Sequence, residues 1–153
     1  MEPITREQAL AILTQAPVAH IGVICEGEPY VTPMSFVVDG DRILFRTMAG
    51  RKLEGIRENP VVCIEVSRYD EATGDWMSVI VKGRAHETGD DRIGQAAVTL
   101  LLEKYRPAMG SPLSRGGIQP MTGLPHVVEV VIDEITGMAS GAGFGPRTKP
   151  GRF

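Results

Sequence analysis

The chain has 153 residues, of which 42% are hydrophobic and 23% charged, with a formal net charge of −3; these values suit one ordinary globular domain around one core. The slight acidic excess argues against a general nucleic-acid binder, though not against a local basic pocket, and no run reaches the roughly 18 apolar residues that span a bilayer. The start MEPITREQALAIL lacks the basic-then-apolar order of a signal peptide, and Cys25 and Cys63, the two cysteines, have no metal-type spacing, so a reduced cytoplasmic protein is expected.

The first predicted element is a short helix. Thr5 and Gln8 give it a T-x-x-Q capping box, Ala9, Leu10 and Leu13 an apolar stripe, and Pro17 a stop. Strands are expected over Val18 to Cys25, Tyr30 to Val38 and Arg42 to Thr47, with turns at Glu26-Gly27-Glu28-Pro29 and Asp39-Gly40-Asp41. Together they read as a three-strand meander. Pro33 cannot donate to a ladder and marks an edge, a bulge or a bend.

A short helix from about Arg51 to Asn59 follows, with Leu53 and Ile56 facing inward and Pro60 ending it. Val61 to Ser67 is a fourth strand with Val62, Ile64 and Val66 on one face, and Trp76 to His86 is a long fifth one, where Gly83 suggests a bulge. Asp90 can cap a helix to about Tyr105 whose apolar face is Ile93, Ala96, Ala97, Leu100 and Leu101. Pro107 to Pro125 is irregular. Val127 to Asp133 is a sixth strand, and from Gly137 the glycine-, proline- and base-rich end reads as a tail, with residues 138–153 a mobile extension of a single 1–153 domain. Strands and short helices do not alternate as βαβ units. Short antiparallel strands with frequent turns favour a mainly β fold, a closed or half-closed barrel of six or more antiparallel strands with short flanking α-helices.

The stretch Arg46-Thr47-Met48-Ala49-Gly50-Arg51-Lys52-Leu53 carries the most chemistry. A strand ends, Gly50 gives a tight loop, and two cations open a helix, where the macrodipole favours acids. A bound dianion resolves that conflict: helix N–H groups, the Thr47 hydroxyl, the Arg51 fork and the Lys52 ammonium could together hold a phosphate monoester. The alternative is that both cations are solvated first-turn residues. His20, His86 and His126 show no metal spacing, and no nucleophile elbow or Walker loop is present.

R-T, then G-R-K-L, then a short helix ending N-P-V-V-C-I-E-V resembles the pyridoxamine-5′-phosphate-oxidase-like FMN-binding split-barrel family, in particular its nitroimidazole-resistance-protein-like subset. G-E-P-Y-V-T-P-M-S-F and W-M-S-V-I-V-K-G-R-A-H-E match two further strands of that family; Ala16 to Glu87 match well, and V-V-E-V-V-I-D-E-I-T-G loosely. The resemblance implies FMN as cofactor, with Gly50, Arg51 and Lys52 at its phosphate and Thr47 beside them. It implies Met34, Ser35 and Phe36 along the isoalloxazine, partly through backbone groups, and Trp76 and Ser78 reaching in from a partner subunit of a homodimer. Met34 and Phe36 read equally as barrel core, and Trp76 as core or interface packing. Arg46 stands where nitroimidazole-resistance-type members often carry a histidine, and is a candidate for the flavin's pyrimidine side. The further basic residues that bind substrate phosphate in pyridoxamine-phosphate oxidases have no match. The implied activity is a flavin-dependent oxidoreductase acting on a small molecule, without metal. The alternatives are a non-catalytic flavin-binding or sensing module, and a split barrel holding deazaflavin or haem. Arg147 of the tail either covers the flavin or belongs to a mobile end.

Overall fold

A computed structural model describes residues 1–109 and 125–140. In chain order the elements are β1 (Glu2–Pro3), α1 (Arg6–Gln15), β2 (Ala19–Cys25), β3 (Glu28–Met34), β4 (Val37–Asp39), β5 (Arg42–Thr47), α2 (Arg51–Glu58), β6 (Val61–Tyr69), β7 (Trp76–Glu87), α3 (Asp91–Met109) and β8 (His126–Ala139). The strands form one antiparallel sheet in the order β3-β2-β6-β7-β8-β5-β4, with β1 added on β8.

The sheet curls into a split barrel for a covalent reason. β3 and β4 lie at opposite ends of the strand order, yet only Ser35 and Phe36 separate them in the chain. Three residue steps reach at most about 11 Å. The two ends are therefore neighbours that carry no ladder between them, and the sheet stays unclosed. This corrects the single strand expected over Tyr30 to Val38, which breaks at Ser35-Phe36, and the three-strand meander, since β3 and β5 do not pair.

Alternation fills the barrel. Ile21, Ile43, Phe45, Ile64, Val66, Val79, Val81 and Val128 are buried inward positions of β2, β5, β6, β7 and β8. Ala9 and Leu13 of α1 and Leu53 and Ile56 of α2 close this core from outside the sheet. The Thr5–Gln8 capping box forms with both reciprocal hydrogen bonds, at 3.2 and 2.9 Å. α3 packs its Ala97, Ile93, Leu100 and Leu101 face on Val37, Leu44 and Val127, a second and smaller cluster on the outer side of β4 and β5.

Gly83 sits at a register shift in β7. An added Cβ there would meet the Val131 carbonyl oxygen at 2.5 Å, so the glycine lets β8 approach closely. β8 itself runs on to Ala139, longer than the strand expected to end at Asp133, and Gly137 to Ala139 belong to it rather than to a tail. Its extra residues pair with β1 and with the start of β7, and Ser140 closes it through the Trp76 N–H at 2.8 Å. Most of the Pro107 to Pro125 connection lies outside the described residues, as does Arg147. Among the described residues no helix is long and apolar enough to cross a membrane, and no cluster of ligands could hold a metal ion.

Candidate functional site

The end of β5, the start of α2, the end of β7 and the start of β8 meet at one end of the barrel, because Thr47 pairs with His126 and Glu87 with Val128. α2 leaves β5 after three residues and lies across β2. Gly55 makes this approach possible, since a Cβ there would lie 2.8 Å from Val23 and 3.0 Å from the Ile24 carbonyl oxygen.

Gly50 is the N-cap of α2 and offers no side-chain hydrogen bond. The first helical bond runs from Glu54 N–H to the Gly50 carbonyl at 3.0 Å. The N–H groups of Arg51, Lys52 and Leu53 therefore have no acceptor within the helix, and open space surrounds Gly50. Lys52 is half-buried, with Nζ 5.6 Å from the centroid of the Phe45 ring. It has no carboxylate partner among the described residues, and burial pushes its pKa below the usual lysine range. Arg51 turns the other way: it is exposed, stacks at 5.0 Å on the Tyr30 ring and reaches Cys25. Thr47 is buried, and its hydroxyl donates to the Met48 carbonyl at 3.1 Å. An ammonium held half out of water without a counter-ion among the described residues, beside three unspent N–H groups, could take a phosphate dianion.

Met34 and Phe36 both point into the barrel core, and Ser35 between them is exposed. The backbone of Phe36 is gripped by α3: its N–H donates to the Tyr105 hydroxyl at 3.1 Å, and Lys104 Nζ donates to its carbonyl at 3.0 Å. Lys104 also sits 3.9 Å from the Phe36 ring centroid. Neither Lys104 nor Tyr105 stands out in the sequence, where they read as the polar end of an amphipathic helix.

Trp76 and Ser78 are half-buried at the opposite end of the barrel, where Trp76 pairs with Tyr69 and Ser78 with Met138. Gly83, opposite Val62, marks the level at which α2 delivers the chain into β6. From there to Trp76 is about 23 Å along β7, so one chain does not bring Trp76 and Lys52 together.

Arg46 lies on the α3 side of β5, half-buried, and its Nε is fully buried without a hydrogen-bond partner among the described residues. It opens onto a cleft of about 620 Å³ whose lining includes Glu87, Asp90, Asp91, Gln95 and His126. Glu87 of this lining is held on both sides: Arg57 donates twice to its Oε1, from Nε at 3.0 Å and Nη2 at 2.8 Å, and its Oε2 meets His126 Nδ1 at 2.5 Å. The Arg57 guanidinium, and after it His126, hold the Glu87 carboxyl below the usual carboxylate range.

A model of the family described as pyridoxamine 5′-phosphate oxidase matches residues 5–139. An uncharacterized protein of Rhizobium meliloti (strain 1021) is 28% identical over 148 residues, 91% of this chain and 95% of that protein. Among solved structures, an FAD-binding protein of Mesorhizobium loti superposes with a TM-score of 0.72 at 22% identity, over 92% of this chain and 98% of its own. A candidate 5-nitroimidazole antibiotic resistance protein of Bacteroides thetaiotaomicron superposes with a TM-score of 0.70 at 21% identity, over 89% and 85%. With the split barrel, its strand order and the family match over nearly the whole described length in agreement, the chain belongs to the pyridoxamine 5′-phosphate oxidase family.

Proposed function

We propose that this protein is a homodimeric flavoprotein that binds FMN and uses it for oxidation–reduction of a small molecule. The observation that carries the reading is the first turn of α2: a glycine cap, three N–H groups free of the helix ladder, and a Lys52 ammonium without a carboxylate partner among the described residues. These residues suit the phosphate monoester of FMN, and Arg51 joins them by leaving the Tyr30 ring. The Mesorhizobium loti neighbour, an FAD-binding protein, agrees in binding a flavin. The bound flavin would supply the electron-accepting and electron-donating ring, and the protein binding, orientation and exclusion of water. The exposed Ser35 and the backbone beside it would lie along that ring, held still by Lys104 and Tyr105. Because Trp76 and Ser78 lie at the far end of their own barrel, they can join this site only from a second copy.

The test is direct. Protein purified from cells should be yellow, and the flavin released on denaturation should run as FMN rather than FAD. Each charge-assisted hydrogen bond to the phosphate contributes about 1.5–3 kcal/mol, so Arg51→Ala with Lys52→Ala should weaken FMN about 100-fold or more while the circular dichroism spectrum is kept. A colourless protein, or a double variant with unchanged FMN affinity, overturns the assignment.

A further inference from the structure

The cleft between β5, the start of β8 and the first turn of α3 is separate from the cradle at α2 and is chemically unlike it. Its floor is Arg46, whose Nε–H is buried with nothing to donate to among the described residues. A buried donor left unmade costs about 1–3 kcal/mol, which an acceptor atom in the cleft would recover. One wall is His126. Its Nδ1 is committed to Glu87, which Arg57 fixes in turn with a two-pronged contact. That leaves Nε2 as the ring nitrogen open to a ligand. The rim is acidic: Asp91 is exposed in the first turn of α3, and Asp90 caps that helix through the Arg92 N–H at 2.9 Å. Unlike Glu87, neither carboxylate has a salt-bridge partner among the described residues.

We infer that this cleft is the substrate pocket, and that it takes an unphosphorylated small molecule offering an acceptor oxygen to Arg46 and a hydrogen-bonding group to His126 Nε2. The carboxylates at the rim repel a phosphate ester, whose two charges would sit beside Asp90 and Asp91 with one guanidinium to balance them. The cradle at α2 and this cleft thus divide the labour: dianions at the first, neutral or cationic groups at the second. That the ligand is a substrate rests on the flavin reading above; that the cleft binds it does not.

Benzamide carries both required groups without charge, and phenyl phosphate matches its ring with a dianion. Each is titrated into the protein as purified, and into protein saturated with FMN, while the His126 ring is followed by NMR. Benzamide should shift the His126 signals saturably, and phenyl phosphate should bind at least about tenfold more weakly. Arg46→Met should abolish the benzamide shift, and His126→Phe should abolish the benzamide binding heat measured by calorimetry. Asp91→Asn, at an exposed position that leaves the fold alone, should narrow the gap by strengthening phenyl phosphate. Silent His126 signals in FMN-loaded protein, or phenyl phosphate binding as tightly as benzamide, overturn the pocket while the flavin reading stands. Benzamide binding in a protein that retains no flavin supports the pocket and removes the flavin reading.

Discussion

Lys104 shows how one side chain can tie a helix to the seam of the barrel. Its ammonium bonds the Phe36 carbonyl, stacks on the Phe36 ring, and lies half out of water. Burial lowers its pKa from 10.5 to about 8. Below pH 8 both folded and unfolded chains hold the proton, and the folded state bears the cost of the desolvated charge. Between about pH 8 and 10.5 the unfolded chain holds more protons, so this group makes stability rise with pH across that window. Lys104→Met should remove that rise. Urea unfolding of both proteins from pH 8 to about 10 checks it, stopping before Tyr105, whose pKa burial raises, begins to act in the opposite direction. A slope identical in the two proteins would contradict the role given to Lys104.

At the scale of elements, α2 is short, eight residues, and depends on its contact with β2. Gly55→Ala sets two effects against each other. Alanine gains about 1 kcal/mol in helix propensity. Its Cβ would meet Val23 at 2.8 Å and the Ile24 carbonyl oxygen at 3.0 Å, and overpacking against backbone costs about 1–3 kcal/mol. The substitution should lower the urea midpoint and weaken FMN together, because the same helix carries Arg51 and Lys52; a raised midpoint would show that α2 can lift off β2 freely.

α2 is also where the sequence was most readable. Gly50, the cation pair, Leu53, Ile56 and Pro60 mark its cap, charge, face and end by local rules alone. The α1 capping box and the Gly83 irregularity were legible for the same reason. What stayed hidden depends on partners far along the chain. The break at Ser35-Phe36 exists because β3 and β4 pair with different neighbours; Met34, Phe36 and Val38 keep an apolar alternation across it, and Pro33 alone hints at an irregularity nearby. Glu87 and His126, 39 residues apart, meet only because β7 and β8 are adjacent. Gly137 to Ala139 look like tail until β1 and β7 supply the ladder. Of the candidate site residues, Arg46, Thr47, Gly50, Arg51 and Lys52 fall at one end of the barrel, whereas Trp76 and Ser78 fall at the other.

For the whole molecule, the curled sheet has an inner face that is filled and an outer one that is partly bare. Ile24, Val31, Val61 and Ile80 are exposed on the outside of β2, β3, β6 and β7. Covering such a strip with a second copy recovers about 25 cal/mol per Å² of apolar area. In the proposed dimer Val31→Glu, 64% exposed in the single chain, should leave the fold intact, shift sedimentation from twice the chain mass towards one, and reduce FMN binding at the same time. A Val31→Glu protein that stays dimeric would place the interface on another face.

The seam that splits the barrel leaves β3 as an outermost strand, and its composition determines what can attach there. Pro29 and Pro33 alternate with Val31 along it, so these three share one orientation of the backbone nitrogen. Proline nitrogens carry no hydrogen, and in a strand they are tolerated where they face away from the neighbour. Two of the three outward positions thus have no donor to offer. A stray extended segment, whether from an unfolded copy or a nascent chain, finds no continuous row to template on, and the unclosed edge does not seed a fibril.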